Sequence, residues 1–219
     1  MSQYFNIHLD NPQARLIAQT ADILRAGGVI AYPTDSGYAL GCMVGSSGDA
    51  QSRIRQIRGV DDKHLFTLVC RNLSELGNYA IVSNSQFRLL KANTPGAYTF
   101  ILQATREVPR KLQNPKRNTI GIRVPQHIVV QAILEAIDAP LLSMTLHLVD
   151  DDEALGEAWQ IRDKLEHVVD LVIDVGHCVP GATSVIDLTG EVPNLIRAGQ
   201  GDLAPVSYTH LTLPTTPYV

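Results

Sequence analysis

Apolar positions along the chain follow two periods in alternation. Leu16, Ile17, Ala21 and Leu24 recur at helical spacing. Asn11-Pro12 offers a cap and a first-turn proline before them, and Gly27-Gly28 stops the run. The same spacing predicts helices over 50–57 (Ala50, Ile54 and Ile57 inward), 83–91, 129–137 (Val129, Ala132, Ile133 and Ala136 inward) and 157–167. Short apolar or alternating runs predict strands over 29–32, 66–70, 98–103, 119–124, 141–143, 171–174, 183–188 and 194–197. Helices and strands in alternation imply a sheet with helices on both faces. The late strands have no helix between them, so the sheet is expected to be mixed and twisted.

The chain has 219 residues, 45% apolar and 18% charged, a composition that suits one α/β domain, assigned to residues 1–205. No apolar run approaches a membrane span, and the N-terminus has no signal-like pattern. Cys42, Cys70 and Cys178 are far apart and unpaired in sequence, which fits reduced thiols in a cytoplasmic protein. No Cys/His spacing predicts a metal site, and no Ser-His-Asp arrangement is present. Residues 206–219 carry two prolines and no period, read like translated adapter sequence, and are expected to be an unstructured artefactual tail.

Charge is uneven. Between positions 53 and 123 there are thirteen Lys and Arg against four acids, a balance of +9, and the remainder carries −13. A basic middle in an acidic chain points to a face for an anionic ligand, nucleotide phosphate or RNA, or to an uneven solvated surface. Arg106, Arg110, Lys111, Lys116 and Arg117 cluster with one acid and no interleaved aromatics. Such a group could hold the phosphates of structured RNA by shape, or form a solvated face. The acidic run Asp150-Asp151-Asp152-Glu153 reads as a solvated loop.

The stretch Tyr32-Pro33-Thr34-Asp35-Ser36-Gly37-Tyr38-Ala39-Leu40-Gly41 carries the most chemistry. A buried strand ends in proline, and hydroxyl, carboxylate and hydroxyl groups follow. Ligands bind at strand ends of α/β sheets, and Thr34 and Ser36 can each donate and accept. The same groups also suit a turn in which Asp35 and Ser36 bond their own backbone.

This stretch resembles the P-T-D/E-T-x-Y-G-L-G signature of the YrdC-like (threonylcarbamoyl-AMP synthase) family. Four more segments resemble that family's motifs in order: Thr94 to Phe100 (P-G-x-x-T), Thr119 to Pro125 (T-x-G-x-R-x-P), Thr183 to Leu188 (S-T-x-x-D) and Arg197-Ala198-Gly199 (R-x-G). The resemblance runs over about residues 10–203. It implies a YrdC-like, DHBP synthase-like α/β fold with a concave basic groove. It also implies condensation of L-threonine, bicarbonate and ATP into threonylcarbamoyl-adenylate for tRNA modification, with Mg²⁺ on the ATP phosphates. By this resemblance Thr34, Ser36, His64, Arg123, Ser143 and Thr183 would hold L-threonine, with Arg123 on its carboxylate. Arg58, Thr119, Thr145, His147 and Arg197 would hold the nucleotide.

Two departures resemble the YciO branch. The synthases' K-x-R is here Arg58-Gly59-Val60, and their S-x-N is Thr145-Leu146-His147. Arg58 keeps the first cation and Lys63 lies near enough in sequence to replace the second, so these two are the expected catalytic cations. A fork and a point charge differ in reach, however. The alternative is a catalytically diverged protein that binds double-stranded RNA, tRNA or rRNA through its basic face.

Overall fold

The structure, a computed structural model, describes residues 1–46, 48–148 and 155–204. The acidic run and the C-terminal tail lie outside the described residues. Eleven strands are present among them: β1 (Gln3–Asn6), β2 (Ile30–Thr34), β3 (Gly37–Met43), β4 (Thr67–Val69), β5 (Ala80–Ile81), β6 (Tyr98–Ala104), β7 (Thr119–Arg123), β8 (Leu141–Thr145), β9 (Leu171–Asp174), β10 (Ser184–Asp187) and β11 (Asn194–Arg197). Six helices accompany them: α1 (Ala14–Arg25), α2 (Gly48–Arg58), α3 (Leu73–Tyr79), α4 (Asn84–Asn93), α5 (Ile128–Ile137) and α6 (Ala158–Leu165). The strands form one sheet in the order β1-β9-β2-β3-β8-β4-β7-β6-β10-β11, with β5 against the end of β6. Parallel and antiparallel neighbours mix, as the sequence predicts.

Helix starts follow local chemistry. Ser83 caps α4 by accepting from the Gln86 N–H, while the Gln86 side chain accepts from the Ser83 N–H. Asn11 does not cap α1, contrary to the sequence reading. The His8 ring accepts from the N–H groups of Asp10 and Asn11, holding this segment in a turn, and the helical bonds begin at the Gln13 carbonyl.

Buried strands obey a period of two, with an apolar layer on each face. Ile30, Tyr32, Leu141, Leu171 and Ile173 point to one side, where they pack with α1 and α5 through Ile17, Leu24, Val130, Ile133 and Leu134. Ala31, Leu142, Val172, Leu68 and Ile122 point to the other, into a larger cluster with residues of α2, α3, α4 and α6. The coverage of the first face is incomplete. α1 and α5 lie over the β9-β2-β3 end, and the face continues across β8, β4, β7, β6 and β10 as the wall of a groove. No helix among the described residues is long and apolar enough to cross a membrane.

Candidate functional site

The groove has a volume of about 460 Å³, within the range of small-ligand sites. Its floor is set by register. Thr67 of β4 lies opposite Gly121 of β7 and Ser143 of β8. Gly121 in turn faces Ile101 of β6, and Thr99 faces Val185 of β10. These side chains therefore share one face, and most of the polar ones are hydroxyls. Gly121 keeps the centre low: a Cβ there would meet only Thr99 Cγ2 at 3.4 Å and Thr67 Oγ1 at 3.7 Å, so any larger side chain would stand in the groove.

At one end the β2–β3 hairpin turns through Asp35 and Ser36, with Gly37 supplying the positive φ of 96° that the turn requires. Thr34 Oγ1 accepts the Ser36 N–H at 3.1 Å and donates to the Gly37 carbonyl at 2.7 Å. Arg123, at the end of β7, is 7% exposed, and its Nη1 donates to Ser36 Oγ at 3.1 Å. Its Nη2 forms a part-buried ion pair with Asp35, whose second oxygen accepts the Gln126 N–H at 2.8 Å. Ser143 Oγ accepts from the hydroxyl of Tyr32, a fully buried side chain, at 2.8 Å. Burial pushes the Tyr32 hydroxyl above its ordinary pKa, so it stays a donor.

At the far wall Thr183 Oγ1 lies 2.8 Å from Thr99 Oγ1. Arg197 lies against it, donating from Nε and Nη2 to the Thr183 carbonyl at 3.1 and 3.0 Å. Thr119 is 4% exposed on the floor. Arg58, at the end of α2, donates to the His147 carbonyl, and burial lowers the pKa of its guanidinium. His64 and Thr145 complete this side. Burial and the adjacent Arg58 cation lower the His64 pKa, favouring a neutral ring at pH 7.

The fold thus gathers Thr34, Ser36, Arg58, His64, Thr119, Arg123, Ser143, Thr145, His147, Thr183 and Arg197 around one hollow. Lys63 is exposed and lines no part of it; its N–H donates to Asp61 Oδ1 in a surface turn. Arg117, read from sequence with the RNA-binding group, lines the groove instead and pairs with Asp187 at 2.9 Å. Arg106, Arg110, Lys111 and Lys116 stand exposed around a single 3-10 turn (Arg110–Leu112). Sequence reasoning missed Asp35 as the partner of Arg123, and Thr67 and Gly121 as floor residues. Only the period-two reading of their strands could have put the last two on the Arg123 face.

A larger hollow of about 1210 Å³ lies beyond Thr34, between the foot of α5 and the loops before α3 and β6. It mixes Arg71 and Lys91 with Asp10 and Glu135 and is broadly apolar, whereas hydroxyls and guanidinium groups converge in the smaller groove. The smaller groove is the candidate site on that chemistry. No cluster of three or more His, Cys, Asp or Glu that could hold a metal occurs among the described residues.

Residues 22–199 match the Sua5/YciO/YrdC domain family, described under the heading telomere recombination. The chain is 53% identical to Escherichia coli K12 YciO over 205 residues, covering 94% of this chain and 99% of that one. The crystal structure of E. coli YciO superposes with a TM-score of 0.89 at 52% identity, covering 94% of this chain and 100% of that one. P. abyssi Sua5, in a crystal structure complexed with L-threonine, shares the fold, with a TM-score of 0.82 at 22% identity over 90% of this chain and 58% of that one. Motif order, sheet topology and near-full-length identity agree, and the chain belongs to the Sua5/YciO/YrdC family.

Proposed function

We propose that the groove binds L-threonine beside ATP and forms a threonylcarbamoyl-adenylate, or a related carbamoyl-adenylate, from them and bicarbonate. The observation that carries this reading is the convergence of the Arg123 guanidinium, held 3.1 Å from Ser36 Oγ, with the Thr34 and Ser143 hydroxyls at one end of a groove that Arg58 and Arg197 also line. A guanidinium suits a ligand carboxylate, and a hydroxyl-lined pocket suits a small polar side chain. The fold shared with the threonine complex of P. abyssi Sua5 supports the choice of amino acid.

In this reading Arg123, Ser36 and Ser143 orient the amino acid, with Ser143 free to donate because Tyr32 already supplies its incoming bond. Arg58 and Arg197 neutralise phosphate charge, and Thr119 and Thr145 fix the nucleotide. Catalysis is then mainly alignment of three substrates and charge stabilisation. Mg²⁺ would neutralise the phosphates. The carboxylates nearest the groove, Asp35 and Asp187, are each taken by an arginine, so the donor set fits an ion held mostly by phosphate oxygens and water.

Pyrophosphate release with ATP, bicarbonate and L-threonine tests the reading. Release that disappears in Arg123→Ala supports it. A second reading draws on four exposed cations, Arg106, Arg110, Lys111 and Lys116, none of which forms an ion pair among the described residues. No pyrophosphate release, with salt-sensitive binding of structured RNA lost in the Arg110→Ala/Lys111→Ala variant, would favour an RNA-binding module.

A further inference from the structure

We infer that Asp35 is the positioning residue for carboxylate recognition, holding Arg123 in the one orientation in which it can receive the amino acid; this rests on the reading of the groove given above. The hairpin turn that carries Asp35 belongs to β2 and β3, yet Arg123 ends β7. Two strands, β8 and β4, separate β3 from β7 in the sheet. Asp35 spans that gap. One of its oxygens takes Arg123 Nη2 and the other takes the Gln126 N–H just beyond β7, so the carboxylate ties the turn to the end of that strand. Arg123 is buried and Asp35 largely so, with side chains 8% and 11% exposed.

Arg123 has little else to hold it. Among the described residues its Nε is buried without a partner, and its Nη1 makes one bond, to Ser36 Oγ. Ser36 sits next to Asp35 in the same turn, so a single tripeptide, from Thr34 to Ser36, sets the plane of the guanidinium. Asp35 is absent from the groove lining and therefore acts through Arg123 and not on the ligand.

The two roles open to this carboxylate predict opposite signs. If Asp35 only offset charge, its removal would leave the Arg123 charge uncompensated and tighten carboxylate binding. If it positions Arg123, Asp35→Asn loosens the guanidinium and weakens that binding. Calorimetric titration of wild type, Asp35→Asn and Asp35→Glu with L-threonine and, separately, with ATP reads this directly. The expected result is a loss of about tenfold or more in L-threonine affinity for Asp35→Asn, an ATP affinity within about twofold of wild type, and partial rescue in Asp35→Glu. Tighter or unchanged L-threonine binding by Asp35→Asn overturns the inference, as does an equal loss for both ligands. A ligand-free readout on the wild type stands beside it: side-chain arginine NMR should show restricted, non-averaged Nη resonances for Arg123. Freely averaged resonances overturn the inference even if Asp35→Asn does not fold. A wild type that fails to bind L-threonine refutes the proposed function, and the NMR result then decides the role of Asp35 alone.

Discussion

Two halves of one sheet face differ in what covers them. Under α1 and α5 the inward positions are Ile30, Tyr32, Val69, Leu141, Leu171 and Ile173. A few ångströms along the same strands they become Thr67, Ser143 and Thr145. Val69 and Thr67 are two residues apart on β4, and Leu141 and Ser143 are two apart on β8. The pleat is continuous, so backbone geometry does not distinguish the halves. The presence of a helix does: where one covers the sheet, apolar side chains are sealed from water, and where none does, hydroxyls and guanidinium groups remain available to a ligand. Tyr32 joins the halves, with its ring in the apolar layer and its hydroxyl on Ser143.

Substitutions should separate the halves. The largest effect is expected from Ile133→Ala in α5, which opens a cavity in the covered half. Chemical denaturation should show a loss of about 2–5 kcal/mol, with ligand affinity of the folded fraction unchanged. Next comes Gly121→Val on the bare half. It adds bulk to the groove floor at ordinary contact distances, so calorimetry should show L-threonine and ATP binding lost, while the denaturation midpoint moves by less than that of Ile133→Ala. A ligand that still binds Gly121→Val normally would place the site elsewhere.

Protonation gives a subtler contrast. Burial lowers the pKa of His127, at the foot of α5, with Asp35 acting in the raising direction and Arg123 in the lowering one. A lowered folded pKa means that the unfolded chain binds the proton more tightly. The stability linked to His127 is therefore present above the ordinary histidine value and is lost as pH falls through the lower, folded one. His127→Gln should flatten that acid-side decline in urea titrations. His64 belongs to the groove half, where Arg58 helps keep its ring neutral. Arg58→Met should move its NMR titration upward, because a neighbouring cation has gone. The smallest effect is expected from Lys63→Ala. Its side chain lies outside the groove, and pyrophosphate release should stay within about twofold of wild type, as for most exposed substitutions.

The covered half was the more legible in sequence. Ile17, Ala21 and Leu24 of α1 and Val129 and Ile133 of α5 follow the helical period, and both helices lie close to the predicted positions. β3 escaped because Tyr38 to Cys42 is buried on both faces and has no alternation to mark a strand. β1 buries only Phe5 and so shows no apolar run, β5 has two residues, and α3 spans only seven. In the site, Thr34, Ser36, Thr119, Arg123, Ser143 and Thr183 stood out through motif resemblance, which preserves residue types at strand ends. Asp35 was legible only as a turn carboxylate, since its partner Arg123 lies 88 residues away and only the folded sheet brings them together. Lys63 misled in the converse way: five residues from Arg58 in sequence, it faces solvent from a separate turn.

The most direct test is a crystal structure of the protein soaked with L-threonine and a non-hydrolysable ATP analogue. The account predicts the amino acid on the bare half of the sheet, its carboxylate on Arg123 and its remaining polar groups among Thr34, Ser36 and Ser143, with phosphates toward Arg58 and Arg197. Ligand density confined to the larger hollow at the foot of α5, with the hydroxyl-lined groove left to solvent, would contradict it.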